Sequence, residues 1–309
     1  MPEIFLKTLP FFLIIGIGWG AGRGGVFPAQ ATAWLTKFVF YFALSAMLLR
    51  FAATLDVASL FDTRFVLAYL AGSAVVWALG FAVSRGRGED LASAAMEAHT
   101  GMTGNTGFLG VPMLVLLLGP AAIGPVLMVL TIDMLVFSTL ITLIITAARH
   151  GRIGLATLRP LAQGIIGNPM IVSMLAGLGW SALQLPMPAP LDETLRLLGG
   201  AATPGALFAI GASLAGRRAD RLAPAIWLSF VKLVLHPLAV GVAALVVFGV
   251  PPFAAGVMIA AAALPVAGNV YILADHFGVA RQRVSTAILI STAASILTVP
   301  AVILLIGHG

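Results

Sequence analysis

Cysteine is absent from the 309 residues, and charge is scarce: Asp, Glu, Lys and Arg together make up 9%. Without cysteine there is no disulfide, no thiol nucleophile and no thiolate metal ligand. A soluble domain carries roughly 25% charged residues; here 60% of residues are hydrophobic and the mean hydropathy is +1.08. Most of the surface must therefore face something other than water. Catalytic signatures are missing too. No GxxxxGK[ST] loop is present to drive transport with ATP, and no HExxH or GxSxG segment offers a hydrolytic site. The glycines of "GIGWGAGRGG" (16–25) lack a preceding strand, and close helix packing accounts for them better than a dinucleotide loop. The chain reads as no enzyme, with no catalytic residue and no metal site; the only cofactor it leaves room for is a coupling proton or sodium ion.

What is present is apolar residues in blocks rather than in alternation, the mark of helices and not of a barrel. Blocks of about 20 residues span a bilayer. Ten are expected, at 3–22, 32–54, 62–84, 90–118, 121–147, 165–185, 190–215, 222–249, 253–276 and 283–306. The first, which carries Glu3, reads as a retained span and not as a cleaved leader. The net charge of +6 would suggest nucleic acid in a soluble protein, but here the basic residues sit in short loops and set orientation. One set of links holds Arg23, Arg85, Arg87, Arg149, Arg152, Arg159, Arg217, Arg218, Arg221, Arg281 and Arg283. The other face has Lys7, Arg50 and Arg64 beside Glu3, Asp56, Asp62, Asp192 and Glu193. Eleven basic residues against three place the first set in the cytoplasm and both termini outside it, in a multi-pass protein of the plasma (inner) membrane. The partners are then the lipid bilayer and a small solute, not nucleic acid; a homodimer is left open.

The basic link 151–164 divides the chain into a first five-span repeat, 1–150, and a second, 165–309. An odd number of spans per half makes the halves enter the membrane from opposite faces, as inverted-repeat carriers require. Span four contains "TGNTGFLGVP" and span nine "LPVAGNVYIL", each with Gly-Asn near its middle and a proline nearby. Glycine costs about 1 kcal/mol and proline about 3 kcal/mol in a helix interior. In lipid, a backbone so broken survives only against protein or a wet cavity. Each break also starts a new half-helix, whose free N–H groups and positive dipole end suit an anion. Asn105, Thr106, Gly107 and Pro112 in span four, with Pro265, Gly268 and Asn269 in span nine, are the candidate substrate-binding residues, and a carboxylate is the natural ligand.

Ionisable residues inside spans cost about 2.5–3.5 kcal/mol each on insertion scales and usually face a cavity or a partner. Asp133 lies twelve residues into span five, roughly 18 Å deep at 1.5 Å per residue. Asp133, Glu97, His99 and Lys232 are the candidates for ion coupling or proton relay; Lys232 paired with Glu97 or Asp133 is the structural alternative. His236, one turn beyond Lys232, reads as a packing residue. Lys37 reads as a snorkelling one.

The stretches "FVFYFALSAMLL", "GNTGFLGVPMLVLLLGP", "NPMIVSMLAGLG", "LLGGAATPGALFAIGASL" and "AAALPVAGNVYILADHFG" resemble the auxin efflux carrier family, which includes the plant PIN carriers and malate and malonate permeases. The resemblance spans the chain. It implies an all-α membrane protein of ten transmembrane helices in two inverted five-helix repeats, with broken helices 4 and 9 crossing. It further implies elevator-like alternating access and carboxylate substrates held near Asn105, Pro112, Pro265 and Asn269. The long central loop of plant members is replaced by the short basic link. The function expected is a secondary active transporter of a small organic anion; the alternatives are a passive anion channel and a potential-driven uniporter.

Overall fold

In the computed structural model, residues 2–55, 62–150, 166–217 and 220–306 are described. The link 151–164, with Arg152 and Arg159, lies outside them, as do Arg218 and Asp56. Apart from one bridged residue pair, the regular structure among the described residues is helical. That is what lipid imposes on a chain this apolar, since a helix satisfies its own backbone. The helices are α1 (Pro2–Arg23), α2 (Ala29–Ala53), α3 (Thr63–Gly86), α4 (Leu91–Met102), α5 (Thr106–Leu118), α6 (Pro120–Ala148), α7 (Pro169–Ala182), α8 (Ala189–Ala215), α9 (Leu222–Val247), α10 (Pro252–Ala262), α11 (Gly268–Phe277) and α12 (Arg281–Ile306). Seven of them are long and apolar enough to cross a membrane, and α5, α7 and α10 are shorter apolar helices. The chain is thus a multi-pass helical membrane protein.

The ends follow local chemistry. Asp90 caps α4, its Oδ1 accepting from Ser93 N at 2.6 Å. Asn168 caps α7 in the same way, accepting from Met170 N at 3.0 Å with Pro169 in the first turn. This cap starts α7 later than the expected 165, and Gln184 at φ 49° lies beyond its end. Expected spans four and nine are each two helices: α4 and α5 part at Thr103–Asn105, α10 and α11 at Ala263–Ala267.

Packing sorts the helices into two groups. α1 lies along α8, α7 along α2, and α2 against α8. Arg50 Nε and Nη2 bridge Asp192 Oδ1 and Oδ2 at 2.6 and 3.2 Å, tying the end of α2 to the start of α8. In the second group α3 packs on α4 and α9, α9 on α10 and α12, and α6 on α4 and α10. The groups meet where α1 touches α5 and α12, and where α8 touches α5. Three expected cytoplasmic links gather at one end of the second group and α8. Arg283 bridges Glu89 at 2.7 Å and reaches Glu97, as does Arg87. Asp220 N donates to Thr286 Oγ1 at 3.1 Å.

The α1–α8 seam needs glycine. A Cβ at Gly211 would strike the Ile15 carbonyl and sit 2.8 Å from Trp19 N, whereas one at Gly16 would meet nothing within 4 Å. Small residues let membrane helices approach at backbone distance. Gly211→Ala should therefore lower the melting temperature in detergent by several degrees, consistent with overpacking costs of about 1–3 kcal/mol. Gly16→Ala should leave it within about one degree in the same assay.

Candidate functional site

The two breaks meet and repair each other. Asn105 N donates to the Pro265 carbonyl at 2.9 Å, and Ala267 N donates to the Thr103 carbonyl at 3.1 Å, so Gly104 and Val266 form an antiparallel bridge. Val266 N finds Ser291 Oγ on α12 at 3.1 Å. Backbone groups freed by both interruptions thus find partners in protein, which is the condition for a break at membrane depth. Gly104 sits in a tight place: a Cβ there would lie 3.2 Å from both the Ala261 carbonyl oxygen and Lys232 Nζ.

Beyond the bridge, each chain starts a new helix. The first bonds in α5 run from Leu109 N and Gly110 N to the Asn105 carbonyl, at 3.0 and 2.9 Å. The N–H groups of Thr106, Gly107 and Phe108 precede them. In α11, Val270 N bonds Ala267 O at 3.2 Å, with Gly268 and Asn269 ahead of it. Both helix starts border one cavity of about 830 Å³. This lies within the ordinary range of small-molecule sites. Asn105, Gly107, Gly268 and Asn269 line it, and neither asparagine side chain hydrogen-bonds a described residue. Thr106, Pro112 and Pro265 stand behind the lining: Thr106 is buried, and Pro265 serves through its carbonyl.

The ionisable candidates divide. Asp133 reaches the cavity; Tyr69 Oη donates to its Oδ1 at 2.8 Å, while Oδ2 is buried with no hydrogen-bond partner among the described residues. Asp133 opens a π-helical turn, Asp133–Phe137, a distortion frequent at functional sites. His99 also lines the cavity, its ring 3.3 Å from Thr103 Oγ1. Lys232, fully buried, does not form the ion pair considered from sequence: no salt bridge joins it to Asp133 or Glu97. Its ammonium donates instead to the Ala262 carbonyl at the end of α10 and lies 3.0 Å from His236 Nδ1. His236 Nε2 lies 3.0 Å from Ser73 Oγ. Lys232 thereby sets its amine against the carbonyl end of α10. Glu97 stands apart from the cavity, fully buried between Arg87 and Arg283. Among the described residues no group of His, Asp and Glu could hold a metal ion.

A family model described as "Membrane transport protein" matches residues 3–303. The chain belongs to this family. It is the auxin efflux carrier family that the helix motifs resemble. A protein of Rhizobium meliloti (strain 1021) described as "Putative malonate transporter" is 32% identical over 312 residues, covering 100% of this chain and 98% of that one. The family assigns membrane transport and not catalysis, which agrees with the lack of a nucleophile–base constellation in the sequence.

Transporter residues that sequence reasoning passed over also line the cavity. Lys37, read as snorkelling, does so with its ammonium 4.6 Å from the Trp34 ring centroid. Phe40 and Phe108 stack at 6.4 Å, bringing α2 against the start of α5. Tyr69, the partner of Asp133, carried no signal, because a lone tyrosine in an apolar span is indistinguishable from core. For Glu97, the geometry separates stability from transport. Breaking a buried, bridged carboxylate typically costs about 3–5 kcal/mol. Glu97→Gln should lower the melting temperature clearly and leave ligand affinity, read by the ligand-induced thermal shift, within about twofold of wild type.

Proposed function

We propose that the chain is a secondary carrier moving a small organic anion, a carboxylate or dicarboxylate, by alternating access. The observation that carries this reading is the pair of helix starts and uncommitted asparagine side chains facing one cavity. Such a site offers hydrogen-bond donors and positive dipole ends and asks for a negative ligand. The similarity to the protein described as a malonate transporter supports a dicarboxylate. In this reading Asn105, Thr106, Gly107 and Pro112 shape one side of the substrate site, and Pro265, Gly268 and Asn269 shape the other. The order of the breaks, fourth span of one half and fourth of the other, supports two inverted repeats, 1–150 and 165–309. The two packing groups supply a frame (α1, α2, α7, α8) and a moving body (the remainder) for an elevator-like stroke. The basic ends gathered at α8, α12 and the α3–α4 turn support a cytoplasmic face there, with both termini opposite, in the plasma membrane.

Coupling follows from charge. An inside-negative potential favours outward movement of an anion by about 2.3 kcal/mol per charge per 100 mV, so import of a dicarboxylate needs a driving ion. A proton is the favoured ion, because a carboxylate with one oxygen unpartnered among the described residues, Asp133, lines the cavity. Asp133, hydrogen-bonded on one oxygen and unpartnered on the other, is the carrier of that proton, with His99 nearby in the same cavity.

The test is malonate counterflow in proteoliposomes. A carrier preloaded with unlabelled malonate should transiently accumulate the labelled anion; a channel shows none. Asn105→Ala should weaken malonate binding about tenfold to a hundredfold, the worth of a hydrogen bond to a charged group, with an unchanged melting temperature; wild-type affinity would remove the crossing as the site. Asp133→Asn should flatten the pH dependence of uptake while binding persists, and a wild-type pH profile would make Asp133 structural.

A further inference from the structure

Arg217 stands on a wall shared by two spaces. One is the 830 Å³ cavity; the other is a pocket of about 480 Å³ between the end of α8 and the start of α12. Ser213, Arg217 and Tyr271 line both. A basic residue that only set orientation would extend into water. Arg217 turns inward: its guanidinium lies 4.5 Å from the Tyr271 ring centroid, and Nη1 donates to Ser285 Oγ at 2.8 Å. Its Nε is buried without a hydrogen-bond partner among the described residues. Guanidinium has five donors in a planar fork that matches a carboxylate.

The nearby charges leave that fork open. Asp220 borders the same pocket, yet no salt bridge joins it to Arg217; its main chain exchanges hydrogen bonds with Thr286 Oγ1. Arg281 is held by Asp275 at 3.3 Å. Of the cations lining the large cavity, Lys37 lies on α2 and Arg217 just beyond the end of α8, both in the frame group. The contacts of Arg217 cross groups: it belongs to the frame, while Tyr271 lies on α11 and Ser285 on α12.

We propose that Arg217 is a carboxylate subsite at the threshold between the outer pocket and the central cavity, and that an arriving carboxylate competes with Ser285 for the guanidinium. The inference rests on the carrier reading above. Docking at this threshold adds a second anion contact to the helix-start site. It also loosens a tie between frame and moving body at the moment substrate is present, so that substrate loading and freedom to move are linked through one side chain. Tyr271 holds the guanidinium in the passage by stacking on its face, leaving the edge donors for the anion.

Malonate uptake into proteoliposomes, with Asn105→Ala as reference, distinguishes the two layers. Arg217→Gln should raise the half-saturating malonate concentration about tenfold, the loss of one charge-assisted contact, with maximal rate and melting temperature near wild type. Arg217→Lys, which keeps the charge and loses the fork, should fall between. Ser285→Ala, which removes the competing acceptor and leaves the guanidinium, should keep half-saturation within about twofold of wild type. Wild-type half-saturation in both arginine variants, or a fall in maximal rate alone, overturns the subsite while leaving the crossing site standing. Failure of the wild-type chain to bind or move malonate or any other carboxylate ends both.

Discussion

Hydrocarbon offers no hydrogen bonds, so a chain that breaks two helices at membrane depth must supply the partners itself. Here the partners are the breaks themselves. Asn105 N meets the Pro265 carbonyl and Ala267 N meets the Thr103 carbonyl, one short antiparallel bridge inside a helical protein. The rest follows from this exchange. Because the lost backbone bonds are made good between the two segments, the N–H groups just beyond them are left over, and they open onto a cavity. The same geometry makes the Gly104 site tight, with the Ala261 carbonyl and Lys232 close by. It also places the Lys232 ammonium, which settles on the terminal carbonyl of α10 at the other side of the crossing.

The charges then have a consistent division of labour. Lys232 and His236 complement the negative helix end, the Glu97 cluster fastens the α3–α4 turn to α12, and Asp133 alone among the described acidic residues reaches the cavity. In the proposed carrier, positive backbone ends and two asparagines would hold the anion, and Asp133 would be the group that titrates. Arg217 and Lys37 surround the approach from the frame. In that proposal an anion entering this space meets the two cations first and the helix starts last.

Much of this was legible in the residues. The apolar blocks set the helices, since no other element satisfies its backbone in lipid, and Gly-Asn with a nearby proline marked both breaks. The periodicity could not say that the breaks would touch: a contact between residues 104 and 266 has no local signature, and it entered only through the family resemblance. The ionisable residues were found by their rarity, but rarity does not name a partner. Lys232, a coupling or relay candidate with an ion pair as its structural alternative, rests on the carbonyl at the end of α10 beside His236. Glu97 looked like a relay and sits in a cluster with Arg87 and Arg283, whose loop positions gave no hint of reaching inward. Arg217 was hidden for the same reason, counted among loop charges that set orientation although its side chain turns into the protein. Tyr69 and the π-helical turn at Asp133 lie below what sequence pattern can resolve, because both depend on how neighbouring helices pack.

The most direct test of the central claim, that the crossed breaks present their helix starts to a bound anion, is an experimental structure of the chain with malonate. The account predicts one carboxylate within hydrogen-bond distance of the first N–H groups of α11 and of the Asn105 side chain, with the Asn105–Pro265 and Ala267–Thr103 bonds intact. Malonate seated elsewhere, or the two breaks separated and facing lipid, would contradict it.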